Sequence, residues 1–156
     1  MKRSILIELR LILLVIFSLS IFSVNASEPA FTDKHSTTRK LSVLDGWIRL
    51  TPPVAKNGAA YFVLYNAGQE EITIVDVKTP LAETVAMHDA VIRKGMIRMK
   101  HLSMLTVPAG ARVAFAPGGK HLMLINLTET LKAGKEFPVN FTLKNGETVS
   151  AVMVVR

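Results

Sequence analysis

Between Met87 and Met123 the chain places three of its four histidines (88, 101, 121) and five of its seven methionines (87, 96, 99, 104, 123). Imidazole nitrogen and thioether sulfur are neutral metal donors, and thioethers select Cu(I) over zinc, calcium or magnesium. Methionine is also a flexible gap-filler in cores, so spacing has to separate ligands from packing. His121-Leu122-Met123 follows a Gly-Gly turn and reads as strand. Residues two apart share a strand face, so His121 and Met123 project together while Leu122 and Leu124 turn inward. His88 and Met99 flank a turn whose midpoint falls between Arg93 and Lys94. Equal arms would set His88 directly opposite Met99, at the ~5 Å typical of cross-strand Cβ pairs.

Two hairpin-like fragments then present one His and one Met each, and His88, Met99, His121 and Met123 are the expected ligands of one Cu(I). A monovalent ion needs no carboxylate among them. Met87 and Met96 have the opposite strand parity and are expected to pack the core. His101 shares the parity of Met99 and is read as a solvated side chain, with Met104 and His101 at most beside the ligands. His35 is given no role, and Trp47 is expected in the core.

The chain contains no cysteine. That excludes a blue-copper electron-transfer centre, a thiolate nucleophile, a lipidated cysteine and every thiolate metal site, and leaves the apolar core alone to close the fold. No Ser/His/Asp order or paired-carboxylate pattern stands out, so an enzyme is not expected.

The elements that must carry these residues begin well into the chain. Lys2, Arg3 and Arg10, the apolar run Leu11 to Val24 and the exit Val24-Asn25-Ala26 have the order of a secretory signal peptide. The run falls short of the ~20 apolar residues of a membrane span. Export to the periplasm is therefore expected, with residues 1–26 removed, 27–40 a flexible lead-in and 41–156 the folded domain. Cleavage lowers the net charge from +7 to +5. Export and the lack of consecutive Lys/Arg blocks argue against a nucleic-acid partner.

From Leu41 onward the pattern is that of strands. Gly58 to Tyr65 is apolar on both faces, as in a strand between two layers. Glu71 to Lys78 shifts its alternation midway, which predicts a bulge. Phe137, Val139, Phe141 and Leu143 alternate with polar positions, and Asn145-Gly146, two residues that tolerate positive φ, then predicts a hairpin. Pro138 cannot donate to a ladder and is expected on an edge strand. Turn signals recur at Pro52-Pro53, Asn57-Gly58, Ala67-Gly68, Lys94-Gly95, Pro108 to Gly110 and Pro117 to Gly119, with no sustained helical period. The expected fold is an all-β sandwich or barrel.

His88, ten residues, Met99, twenty-one residues and His121-x-Met123 resemble the signature of the periplasmic copper chaperone family of PCu(A)C type. Trp47 to Pro53, Lys56 to Tyr61 and Pro117 to Met123 are similar to its other recurring stretches. The likeness runs from about Leu41 to Arg156. It implies a cupredoxin-like, immunoglobulin-like Greek-key sandwich, monomeric and without enzymatic activity. It also implies Cu(I) delivery toward the binuclear copper centre of cytochrome c oxidase, with a thiol-disulfide copper protein as a further partner. The competing expectations are periplasmic copper buffering, and a structural immunoglobulin-like module whose His and Met cluster is incidental.

Overall fold

Alternation of apolar and polar residues builds ten strands around one core. The computed structural model describes residues 40–93 and 96–156. The assigned signal peptide, His35 and all of the lead-in but Lys40 lie outside the described residues. The strands are β1 (Leu41–Ile48), β2 (Asn57–Asn66), β3 (Ile72–Lys78), β4 (Ala82–Arg93), β5 (Met96–Leu102), β6 (Leu105–Val107), β7 (Arg112–Phe115), β8 (Lys120–Leu127), β9 (Glu136–Leu143) and β10 (Thr148–Val155).

Hydrogen bonds run through the order β5-β4-β8-β2-β1-β10-β9-β3-β6, with β7 also on β2. The hairpin pairs β4–β5, β1–β2 and β9–β10 are joined by the long-range antiparallel pairs β4–β8, β2–β8 and β3–β9 and by the parallel pair β1–β10. The result is the all-β, cupredoxin-like sandwich, and the described residues contain no helix.

The inward faces meet in one apolar core. Phe62 stacks on Phe115 with ring centres 4.4 Å apart and meets the edge of Phe141 at 5.3 Å. Ile48, Leu64, Ile74, Leu122, Leu124, Val139 and Met153 are buried with them. Burying such side chains, at roughly 1.5–3 kcal/mol each, replaces the disulfides that this chain cannot form. The bulge in β3 appears where its pairing with β9 shifts between Ile74 and Asp76.

The β9–β10 hairpin forms as expected, and two other local expectations are corrected. Of Asn145-Gly146 only Gly146 has positive φ, at 89°. Gly146 N–H donates to Leu143 and Leu143 N–H to Glu147, which makes a three-residue loop with the glycine at the left-handed position. The strand of Pro138 lies between β10 and β3 instead of at an edge. Pro138 is nevertheless tolerated, because the β3 ladder ends at Lys78–Asn140 and the Pro138 carbonyl accepts from the Thr79 hydroxyl beyond it. Trp47 is half-buried on the outer face, 4.7 Å from the Tyr61 ring and beneath the Arg156 guanidinium at 4.8 Å.

Candidate metal centre

β4 runs between β5 and β8, and these three strands carry every expected ligand. β4 is anchored inward by the buried Met87 and by Val85, which packs against the core. β8 is anchored by Leu122 and Leu124, which have no exposed surface. Their outward neighbours His88, His121 and Met123 must therefore share the outer face. β5 hangs on β4, with Met96 through Lys100 all exposed, so this end of the sheet is a ribbon in solvent.

Register decides what faces what. His88 lies directly opposite His121 on one side and His101 on the other. The ring centres are 5.7 Å apart for His88–His121 and 5.6 Å for His88–His101, with interplanar angles of 72° and 75°. Met99 faces Ala90, and Met123 faces Ala86 on β4 and Ala59 on β2. The expectation that His88 faces Met99 directly is thus corrected. Arg93 pairs with Met96, so only Lys94 and Gly95 separate the strand ends and the midpoint lies one residue later than read. A one-residue shift of midpoint moves each partner by two and leaves faces unchanged. Met99 is therefore diagonal to His88, on its face but not across from it.

The four expected ligands share one face, but their groupings differ. His88 and His121 are in ring contact. Met99 and Met123 approach from opposite corners, diagonal to His88 on either side, at the ~7–8 Å of diagonal sheet neighbours. The alanines opposite both methionines leave space for a long, unbranched side chain to fold over the face. Met87 packs the core as expected, whereas Met96, 54% exposed, does not, because β5 extends past the core. Met104 is exposed in the link from β5 to β6. His101 is exposed as expected but is not isolated, since it stands against His88. Its shared parity with Met99 was the available signal, and the misplaced midpoint hid its partner.

The two facing imidazoles are positioned by different means. The turn between β7 and β8 closes with Gly119 N–H donating to Ala116 and Ala116 N–H to Lys120, and Gly118 takes a φ of 82°. It ends with the Gly119 carbonyl 3.0 Å from His121 Nδ1. A carbonyl only accepts, so the neutral ring carries its proton on Nδ1 and turns the Nε2 lone pair outward. The same carbonyl accepts from Ala90 N–H, tying the turn to β4. His88 Nδ1 is buried and, among the described residues, has no hydrogen-bond partner. Leaving such an atom unsatisfied costs about 1–3 kcal/mol, which a bound ligand would relieve. Burial, then the neighbouring His121 and His101, hold the His88 pKa below its ordinary 6.5.

Among the described residues no carboxylate joins this face. Asp89 points the other way and pairs with Lys120 at 2.9 Å. Among the described residues no three His, Cys, Asp or Glu side chains are already gathered about one point. The donor set is therefore neutral and mixed, imidazole with thioether, and fits a soft monovalent ion better than calcium or magnesium.

Known proteins share this all-β sandwich. Residues 41–155 match the family described as "Putative lipoprotein LpqE-like", and the chain belongs to that LpqE-like family. The protein Lxx21020 of Leifsonia xyli subsp. xyli is 29% identical over 99 residues, 63% of this chain and 60% of that one. This chain thus spans less than two thirds of that relative's length. The Deinococcus radiodurans structure titled "Solution structure of CuI-DR1885" is 28% identical, with a TM-score of 0.61, over 82% of this chain and 89% of that chain. The "Copper-bound PCuAC domain from PmoF2" shares the fold at 18% identity and a TM-score of 0.63, over 75% of this chain and 92% of that domain. Among the described residues no helix is long and apolar enough to cross a membrane.

Proposed function

We propose that this protein is an extracytoplasmic copper(I) carrier that binds one ion through His88, Met99, His121 and Met123 and passes it to a copper-protein acceptor. The observation that carries the reading is the contact of two imidazoles on a face shared with two thioethers, with one buried ring nitrogen unpartnered. A purely structural module would gain nothing from that arrangement, since the unpartnered nitrogen destabilises it and the exposed methionines add little packing. The copper named in the two similar structures supports the same metal.

The site suits transport better than catalysis. Four neutral ligands fill a Cu(I) coordination sphere and leave no open position for a substrate. They sit at the surface, where an incoming ligand can replace them one at a time. Residues 1–26 act as the export signal in this reading and 41–156 as the carrier domain, in the periplasm. A binuclear copper centre of a terminal oxidase is an acceptor of suitable chemistry.

Cu(I) titration followed by X-ray absorption tests the proposal. One equivalent should bind with both nitrogen and sulfur scatterers. A sphere of nitrogen alone would remove the methionines from the site.

A further inference from the structure

The four-ligand reading leaves His101 unused, yet it occupies the position directly opposite His88, and its ring is as close to His88 as that of His121. Three imidazoles from three adjacent strands thus form one row across the outer face, His101–His88–His121. Two imidazoles bound to one ion at ~2.0 Å place their ring centres roughly 4.5–6.5 Å apart, depending on the angle between the bonds. The observed 5.6 Å and 5.7 Å of the two pairs that include His88 lie inside that range, whereas His101 and His121 stand two strands apart and the three rings do not yet converge on one point. The central ring is fixed by the core-anchored strand. The exposed His101 on its ribbon is free to swing toward a common point.

We propose that His101 gives the site a second coordination mode, in which His88, His101 and His121 hold copper in its divalent state. The inference rests on the copper reading above and adds an oxidation state to it. Cu(II) favours a tetragonal field of nitrogen and oxygen, which three imidazoles and a water molecule supply, whereas thioethers favour Cu(I). His88 and His121 serve both modes. His101 belongs to the divalent one, and Met99 and Met123 belong to the monovalent one. Copper encountered in either state outside the reducing cytoplasm would then find ligands on one face. No electron transfer is implied, because each ion is bound in the state in which it arrives.

The alternative is that His101 is a solvated surface residue that happens to face His88. The two readings separate by electron paramagnetic resonance of the mature chain loaded with one equivalent of aqueous Cu(II). Superhyperfine splitting from three nitrogens is expected, falling to two in His101→Ala, with Cu(II) affinity at least about tenfold weaker and Cu(I) affinity changed less than about threefold. Met123→Leu should do the reverse, weakening Cu(I) and sparing Cu(II). His101 is exposed on β5, so both proteins should give the same far-ultraviolet dichroism. A wild-type spectrum with two nitrogens, or one unchanged by His101→Ala, overturns the divalent mode while leaving Cu(I) carriage intact. Loss of the Met123→Leu effect on Cu(I) would instead overturn the carrier reading itself.

Discussion

His88 and His121 face each other across β4 and β8 with ring centres 5.7 Å apart, set there by the pairing of the two strands. The pair is therefore pre-arranged before any ligand arrives, and the ordering entropy that metal binding would otherwise cost is already met by folding. The thioethers are different. Met99 is 63% exposed and its side chain remains to be ordered by the ion.

That asymmetry predicts how ligand variants divide. Met99→Leu and Met123→Leu keep approximate volume and apolarity and remove only sulfur, so the fold should survive with little change in melting temperature. Cu(I) affinity should fall by roughly tenfold or more in each. Competition titration against a Cu(I) chelator measures this, with one equivalent bound by the wild type and little Zn(II). Two tight Cu(I) ions per chain would show that the ligand set is larger than four.

Much of this was legible in the sequence, and the physical reason is periodicity. Leu122 and Leu124 announce the core face of β8, which forces His121 and Met123 outward whatever the rest of the fold does. The β3 bulge and the β9–β10 hairpin follow from equally local patterns. What the sequence hid is register. Lys94-Gly95 fixes the β4–β5 pairing to within one residue, and that one residue decides whether Met99 or His101 stands opposite His88. The internal place of β9 was equally hidden, because Pro138 reads as an edge signal without the knowledge that β3 ends beside it. Trp47 misled for another reason: a large aromatic is counted as core by composition, whereas here Arg156 and Tyr61 shelter it outside.

The turn before His121 gives a stability prediction. Gly118 has a φ of 82°, and a Cβ there would meet nothing within 4 Å. Gly118→Ala therefore suffers backbone strain and no clash, at a cost of about 1 kcal/mol. A drop in melting temperature of roughly 4 °C is expected for a domain of this size. Because the turn also sets the Gly119 carbonyl against His121, Cu(I) affinity should weaken as well. Thermal melts of the apo and copper-loaded variant separate the two effects, and an unchanged apo melt would show that the loop relaxes without strain.

Acid should act on His88 in a defined direction. Burial, then His121 and His101, depress its folded pKa below the ordinary 6.5 of the unfolded chain. Beneath that value the unfolded chain binds the proton more readily, so the stability present above it is lost as pH falls through the depressed folded pKa. The melting temperature of the apo protein should decline over that interval, and His88→Ala should flatten the decline. An equal slope in the variant would place the acid sensitivity elsewhere.

Transfer provides the last prediction, and it depends on the same neutral ligands. Thioether and imidazole hold Cu(I) less strongly than thiolate, and the exposed Met99 can leave first without disturbing the core. An acceptor with two reduced cysteines can then enter the vacated position, bind through one thiolate and draw the ion off stepwise as His88 and His121 let go. Copper should therefore pass readily to a reduced dithiol acceptor and stay on this protein when those cysteines are joined in a disulfide. Lowering the pH through the imidazole range should speed release, because proton binding competes for the two histidine nitrogens while the thioethers take up no proton. Gel filtration followed by metal analysis of the separated proteins measures the distribution. Retention of copper against the reduced acceptor would identify the protein as a store instead of a carrier.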